Sequence, residues 1–326
     1  MKNEDTILNF LYCFDTNYNY QAFSSIISLL DCINVKINIY ILHNDKTNLQ
    51  IPEPIFKHKN LKKISIYQFR DSNYDFPNLT DNHVSEATYY RMFINNYLPK
   101  NLESIIYIDA DMIFVRNPIT KFQLELNNLI ISKYVVAAKT EININNYKPE
   151  DIDRIRATIF SHKFWPFDRI PIQEKYFNAG LLIIDMNKWR ESNIQNKLIK
   201  TMYKEYENIL MWDQDVINCV INGKYHNLTN ELNFLSTKLK KDSKLPYTLH
   251  YSGSNKPWKT NGAFEFAAKF YHLNFKKISN IEYHIEIDNK KNSLKSLFDN
   301  ILNLNFFKTH KPIRYLLIFY KKLITR

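Results

Sequence analysis

Apolar positions in the first 70 residues fall into short runs broken by one helical stretch. Residues 7–14, apolar except for Asn9, read as a strand. Phe23, Ile26, Ile27 and Leu30 then recur at helical spacing, 36–42 alternates through Ile37, Ile39 and Ile41, and 63–69 reads as a further strand. This order predicts an α/β fold with a largely parallel sheet flanked by helices. A helix is expected from about Ser85, carrying Tyr89, Phe93 and Tyr97 and closed by Pro99; the strand 105–108 then runs directly into Asp109-Ala110-Asp111. Further strands are predicted at 135–139, 180–185 and 247–251, with helices over 187–206 and 213–221. The polar, aromatic stretch 143–175 reads as a long loop with one short helix.

Beyond about residue 270 the pattern changes. Leu294, Leu297, Phe298, Ile301 and Leu302 share one helical face with Ser293 as an N-cap, and an aromatic, lysine-bearing segment follows Pro312. Two units are expected, a catalytic domain over 1–270 and a helical tail over 271–326. Residues 289–326 hold nine Lys or Arg against Asp299 alone, a net +8 of the chain's +11, which leaves +3 for the other 288 residues. Aromatic and aliphatic residues mixed with lysines, on a pattern too short to span a bilayer, favour a helix lying on an anionic membrane surface. A surface-solvated helical pair and a nucleic-acid arm are the weaker readings.

With 45% hydrophobic and 24% charged residues the chain has the composition of a globular protein. Its start lacks the basic-then-apolar layout of a secretory signal. The three cysteines, Cys13, Cys32 and Cys219, make neither a disulfide framework nor a C-x-x-C site, which fits a reducing cytosol.

Asp109 and Asp111 are the centre of the chemical reading. Residues i and i+2 of an extended chain point to one side, so both carboxylates can converge on a cation, and they follow the carboxyl end of a buried strand. D-x-D recurs at Asp151/Asp153 and Asp213/Asp215, and only the first pair has this position. His250, at a predicted strand end just before Gly253 and Lys256, supplies a candidate third ligand. Two carboxylates and an imidazole suit Mn2+ better than Ca2+ or Zn2+. A metal and a lysine held against a departing diphosphate would serve sugar transfer, and phosphoryl or nucleotidyl transfer equally. The four glycines (Gly180, Gly223, Gly253, Gly262) cannot build a P-loop, a dinucleotide-binding G-x-G-x-x-G or a G-x-S-x-G elbow.

Six segments together resemble glycosyltransferase family 8, retaining enzymes of GT-A fold, and most of all bacterial lipopolysaccharide galactosyl- and glucosyltransferases. They are Phe14-Asp15-Thr16-Asn17-Tyr18; His83-Val84-Ser85 through Thr88-Tyr89-Tyr90-Arg91; Tyr107-Ile108-Asp109-Ala110-Asp111; Tyr176-Phe177-Asn178-Ala179-Gly180; Asp213-Gln214-Asp215; and His250 to Trp258. The resemblance implies Mn2+, with Mg2+ as the alternative, on Asp109, Asp111 and His250. It further implies uracil and ribose on Asp15, Asn17 and Tyr18, the diphosphate on Gly253 and Lys256, and the donor sugar on Arg91, Asn178, Ala179 and Asp213. Thr16, Ile108, Ala110 and Ser254 would complete the nucleotide-sugar pocket. Gln214 would lie on the sugar face opposite the leaving group, favouring front-face substitution over a glycosyl adduct on Asp213 or Asp215. Glu141 stands where that family's strand commonly ends in Asp, which leaves galactose versus glucose open. The implied partners are a UDP-sugar donor and a glycan or glycolipid acceptor at the inner face of the cytoplasmic membrane. Two rivals remain, a phosphotransferase or nucleotidyltransferase using the same metal site, and a non-catalytic sugar-nucleotide-binding protein.

Overall fold

In the first strand, β1 (Asn9–Phe14), alternate side chains enter different cores. Phe10, Tyr12 and Phe14 pack on one side of the sheet and Leu11 and Cys13 on the other. Burial on both faces is why the strand is apolar from Phe10 to Phe14. The computed structural model describes residues 7–79, 85–159 and 161–325. His83 and Val84 of the second motif lie outside them.

After β1 come α1 (Asn19–Cys32), β2 (Ile37–His43), α2 (Glu53–Phe56) and β3 (Leu61–Gln68). Residues Glu86–Phe93 form a 3-10 helix, with Ser85 accepting from the Ala87 amide at its start. The α-helix expected here covers only α3 (Ile94–Tyr97). β4 (Ser104–Ile108) and β5 (Met112–Phe114) flank the first D-x-D; α4 (Ile119–Ile131) and β6 (Val136–Asn143) follow. The expected loop over 143–175 is largely helical, with α5 (Ile152–Ile159), α6 (Ser161–Phe164) and three short 3-10 turns. β7 (Lys175–Asp185) begins five residues before the strand read from sequence. The helix expected over 187–206 is two, α7 (Met186–Glu191) and α8 (Ile194–Lys204), because Asn193 adopts a left-handed φ of 52°. α9 (Trp212–Ile221), β8 (His226–Asn227), β9 (Phe234–Leu235) and β10 (Thr248–His250) lead to α10 (Ala268–Ser279), α11 (Lys290–Leu302) and α12 (Pro312–Ile324).

Seven strands form the main sheet in the order β3-β2-β1-β4-β7-β6-β8. It is mostly parallel; β7 alone runs against both its neighbours. α1 and α4 cover one face, while the 3-10 helix, α8 and α9 cover the other. A small second sheet, β5-β10-β9, branches off where β4 ends. It is tied to α1 through Ser28, whose hydroxyl accepts from the Phe114 amide at 2.9 Å and donates to the Ser25 carbonyl.

The expected boundary at residue 270 falls inside α10, which packs Tyr271 and Phe275 against Trp258 and Tyr251. The tail helices close over a separate cluster containing Phe264, Tyr283, Tyr315 and Phe319. Lys276 and Lys311 both pair with Glu282, at 2.8 and 2.9 Å. Asn289 rather than Ser293 caps α11, accepting from the Asn292 amide. Leu294, Leu297 and Ile301 face this cluster as expected, whereas Phe298 and Leu302 point to solvent, because the cluster needs a narrower apolar stripe than the sequence offers.

His272 on α10 is buried, and that burial, reinforced by neighbouring His284, pushes its imidazole down to about 3. The unfolded chain takes up this proton near the usual value of about 6.5. Stability contributed by His272 is therefore present above pH 6.5 and lost as pH falls towards 3, by about 1.4 kcal/mol per pH unit. Urea unfolding at several pH values should show this slope in the wild type, and it should flatten in His272→Phe.

Candidate active site

Parallel strands β1 and β4 end side by side, and their carboxyl ends deliver the first site residues. Asp15 follows β1 and caps the 3-10 turn Thr16–Tyr18, accepting from the Asn17 amide at 3.0 Å. Asp109 follows β4. Its backbone amide donates to the Gly180 carbonyl, so the main sheet holds it firmly, and the chain then leaves for the second sheet. There β10 pairs antiparallel with β5, setting His250 opposite Met112, and the Tyr251 amide donates to the Asp111 carbonyl. Backbone register thus brings the imidazole to the two carboxylates.

His250 Nε2 lies 3.3 Å from Asp111 Oδ1 and 3.9 Å from Asp109 Oδ2. One ligand atom from each of Asp109, Asp111 and His250 falls within 4.8 Å of the others; among the described residues no other His, Cys, Asp or Glu group does this. Lys256 Nζ sits 2.5 Å from Asp111 Oδ2. Burial alone would raise the Asp111 carboxyl, but Lys256 and His250 outweigh it and hold it well below the usual carboxylate range.

Arg91 is the second organiser. Its buried guanidinium forks onto both oxygens of Asp213, reaches Asp109 Oδ1 at 3.0 Å, and donates to the Ala179 carbonyl at 2.7 Å. Thr88 adds a hydroxyl to Asp213 at 2.8 Å. Asp215 is fully enclosed, accepting from Arg169, Tyr176 and the Leu210 and Met211 amides. Asp213 and Asp215 thus fasten the start of α9, while Asp151 and Asp153 form ion pairs with Arg154 and Arg156 on the surface. Gln214, between the two clamped acids, accepts from the Ala179 amide at 2.9 Å and donates to Tyr176.

These groups border one cavity of about 380 Å³. Asp15, Tyr18, Arg91, Asp109, Ala110, Asp111, Asn178, Asp213, Gln214, His250, Gly253, Ser254 and Lys256 all line it. Four expected residues do not. Ile108 is wholly inside the core, Ala179 contributes backbone bonds to Arg91 and Gln214, the Thr16 amide binds Asn44, and Asn17 holds Asp15. Glu141 bonds to Asn178 behind the cavity, its carboxyl raised by burial and partly restored by Lys139.

Sequence reasoning missed several groups that line or support the cavity. Asn78 and Trp212 both have left-handed backbones, at φ 55° and 51°, and Trp212 Nε1 donates to the Asn78 carbonyl. Phe164 comes from the helical 143–175 segment. Asn233, fully buried, bonds to both His250 and Asn178. No spacing or motif marks these positions; the left-handed residues are not glycines, and Asn233 acts across separate strands.

Gly180 is required by close approach. A Cβ there would lie 2.4 Å from His250 Cε1 and 3.0 Å from Asp109 Oδ2. Only glycine lets the β7 backbone back the carboxylates and imidazole.

The arrangement of a mostly parallel sheet, a paired-acid turn at its carboxyl edge and a branching small sheet defines a GT-A glycosyltransferase. Galactosyltransferase LgtC, solved with donor and acceptor sugar analogues, superimposes with a TM-score of 0.65 at 17% identity, covering 83% of this chain and 96% of that one. Among relatives, a putative glycosyltransferase of Haemophilus influenzae is 32% identical over 77% of this chain and 73% of its own. Lipopolysaccharide 1,2-glucosyltransferase of Escherichia coli is 25% identical over 78% and 74%. Lipopolysaccharide 1,3-galactosyltransferase of Salmonella typhimurium is 26% identical over 56% and 52%. Residues 9–262 match the profile of glycosyl transferase family 8, and the chain belongs to that family.

Replacing Arg91 by Met leaves Asp213 buried without its counter-charge, and should cost about 3–5 kcal/mol in urea unfolding. Adding Asp213→Asn should recover part of that loss, as expected for charges that interact directly.

Proposed function

We propose that this chain is a retaining hexosyltransferase. It moves galactose or glucose from a UDP-hexose onto a lipopolysaccharide, lipooligosaccharide or related surface glycan, with Mn2+ held by Asp109, Asp111 and His250. The observation that carries this reading is the convergence of those three side chains and Lys256 on one cavity at the sheet's carboxyl edge. The lipopolysaccharide transferases among the relatives support the acceptor class.

The donor set fits such a cation. Two carboxylate oxygens and one imidazole nitrogen face a common point, and the mixture suits a borderline divalent metal. When bound, the ion supplies positive charge against the leaving diphosphate. Lys256 supplies a second positive charge from the same side. Gly253, at φ 84°, turns the chain beside it in a conformation other residues rarely adopt. Asp15 and Tyr18 line the end of the cavity assigned to the nucleoside, where Trp258 buttresses Tyr18 edge-on at 6.1 Å.

Retention through a glycosyl-enzyme needs a free carboxylate beside the anomeric carbon. Asp213 and Asp215 are both spent on ion pairs and capping bonds. Front-face substitution is therefore favoured. The acceptor hydroxyl oxygen bonds to the anomeric carbon as the carbon–phosphate-oxygen bond breaks, and its proton passes to the departing phosphate oxygen. Gln214 Oε1, anchored by the Ala179 amide, keeps a second lone pair for the positive charge that develops on the sugar.

A panel of UDP-sugars with Mn2+ should show UDP release from UDP-galactose or UDP-glucose, and NMR of the product should show the anomeric configuration unchanged. Asp111→Asn should slow this by about 100-fold or more. Release of pyrophosphate or inorganic phosphate instead would refute the assignment.

The tail is proposed to rest on an anionic membrane at the cytoplasmic face. Among the described residues no helix is long and apolar enough to cross a membrane. Yet Phe298, Phe307, Ile313, Leu317 and Tyr320 are exposed on a strongly basic segment, which suits interfacial binding. Co-sedimentation with phosphatidylserine vesicles should fall sharply in the triple variant Phe307→Ser, Leu317→Ser, Tyr320→Ser with donor hydrolysis retained; undiminished binding would exclude this surface.

A further inference from the structure

One unbroken set of hydrogen bonds runs behind the site from the β7 backbone to His250, and its direction is fixed by its first member. The Gly180 amide can only donate, and its partner 3.0 Å away is Asn178 Oδ1. That oxygen can only accept, so the Asn233 atom 2.9 Å from it is the amide nitrogen. The opposite end of Asn233 is then its carbonyl oxygen, which lies 2.8 Å from His250 Nδ1. Nδ1 must carry a proton to make this contact. In the neutral ring this makes Nε2, which faces Asp109 and Asp111, the nitrogen with the lone pair.

Two further observations bear on these orientations. The imidazole is seated so closely on β7 that a Cβ at Gly180 would overlap it. Asn178 Oδ1 receives both the Gly180 and Asn233 donors, which leaves the Asn178 amide nitrogen as the end that donates to Glu141. A reversed Asn178 would leave the Gly180 amide without its acceptor. Asn233 itself is fully buried, held where a 3-10 turn (Asn230–Leu232) meets β9, which runs parallel to β10.

From this geometry we propose that Asn233 is a positioning residue for two ligands at once. Its carbonyl end fixes the His250 tautomer that can bind a divalent cation. Its amide end, together with the Gly180 amide, holds the orientation in which Asn178 lines the donor cavity. This rests on the cation site and donor placement proposed above, and adds a residue through which the two are physically joined.

Two substitutions separate the ends. Asn233→Asp keeps an oxygen for the His250 Nδ1 proton but offers no donor to Asn178; Asn233→Leu removes both. Mn2+ binding to the full chain without nucleotide is read by electron paramagnetic resonance of the free ion, with Asp109→Asn as the control. Wild type and Asn233→Asp should bind alike, and Asn233→Leu should bind about 10- to 100-fold more weakly. At saturating Mn2+, Asn233→Asp should raise KM for UDP-glucose or UDP-galactose hydrolysis while leaving the Kd for UDP unchanged. Asn233→Leu binding Mn2+ as tightly as wild type, with Asp109→Asn impaired, would overturn the proposal and leave the cation site standing. Equal binding by wild type and Asp109→Asn would remove the cation site and this proposal together. Should Asn233→Leu not fold, the Asn233→Asp contrast between UDP-hexose and UDP decides, since equal weakening of both would refute the two-ended role.

Discussion

The antiparallel pairing of β10 with β5 is the constraint on which the site depends. At Asp109 the chain leaves the main sheet and joins the small one, so the two acids sit in the turn between sheets. His250 reaches them from well over 100 residues later only because it is paired opposite Met112. A slip of one residue in this register would turn the imidazole to the other face of the small sheet, since successive strand side chains alternate. The Ser28 contacts with β5 and the parallel β9 strand hold that register from both sides.

Gathering acids at one cavity creates an electrostatic problem that the fold resolves internally. Asp15, Asp109, Asp111 and Asp213 all border the same space. Arg91 serves two of them at once while its guanidinium lies 4.3 Å from the centre of the Tyr107 ring, and Lys256 serves a third. Arginine suits the first role because its planar fork is satisfied in several directions at once. The division of labour follows from position. Asp213 is deep and paired with Arg91 and Thr88, whereas Asp109 and Asp111 each keep an oxygen turned towards His250.

Most of the sheet was legible in sequence because strands buried on both faces are mostly apolar, as in β1, β2 and β4. The first five residues of β7 were not, since Asn178 interrupts the run for a reason that lies in the site rather than the core. Asp109, Asp111 and His250 could be proposed because their residue types and strand-end positions carry meaning locally. Asn233 could not, because its partners come from two other strands and nothing in its own segment marks it. The tail's composition was readable, but which apolar residues face inwards was not. Phe298 and Leu302 share a helical stripe with Leu297 and Ile301, and only the packing around Tyr315 separates them.

The most direct measurement is a crystal structure of the full chain grown with Mn2+ and UDP, with anomalous diffraction recorded at the manganese edge. A single anomalous peak bounded by Asp109, Asp111 and His250, with the diphosphate reaching from it towards Lys256, is the predicted result. UDP bound in the cavity with manganese located elsewhere, or with His250 turned away from it, would contradict the site described here.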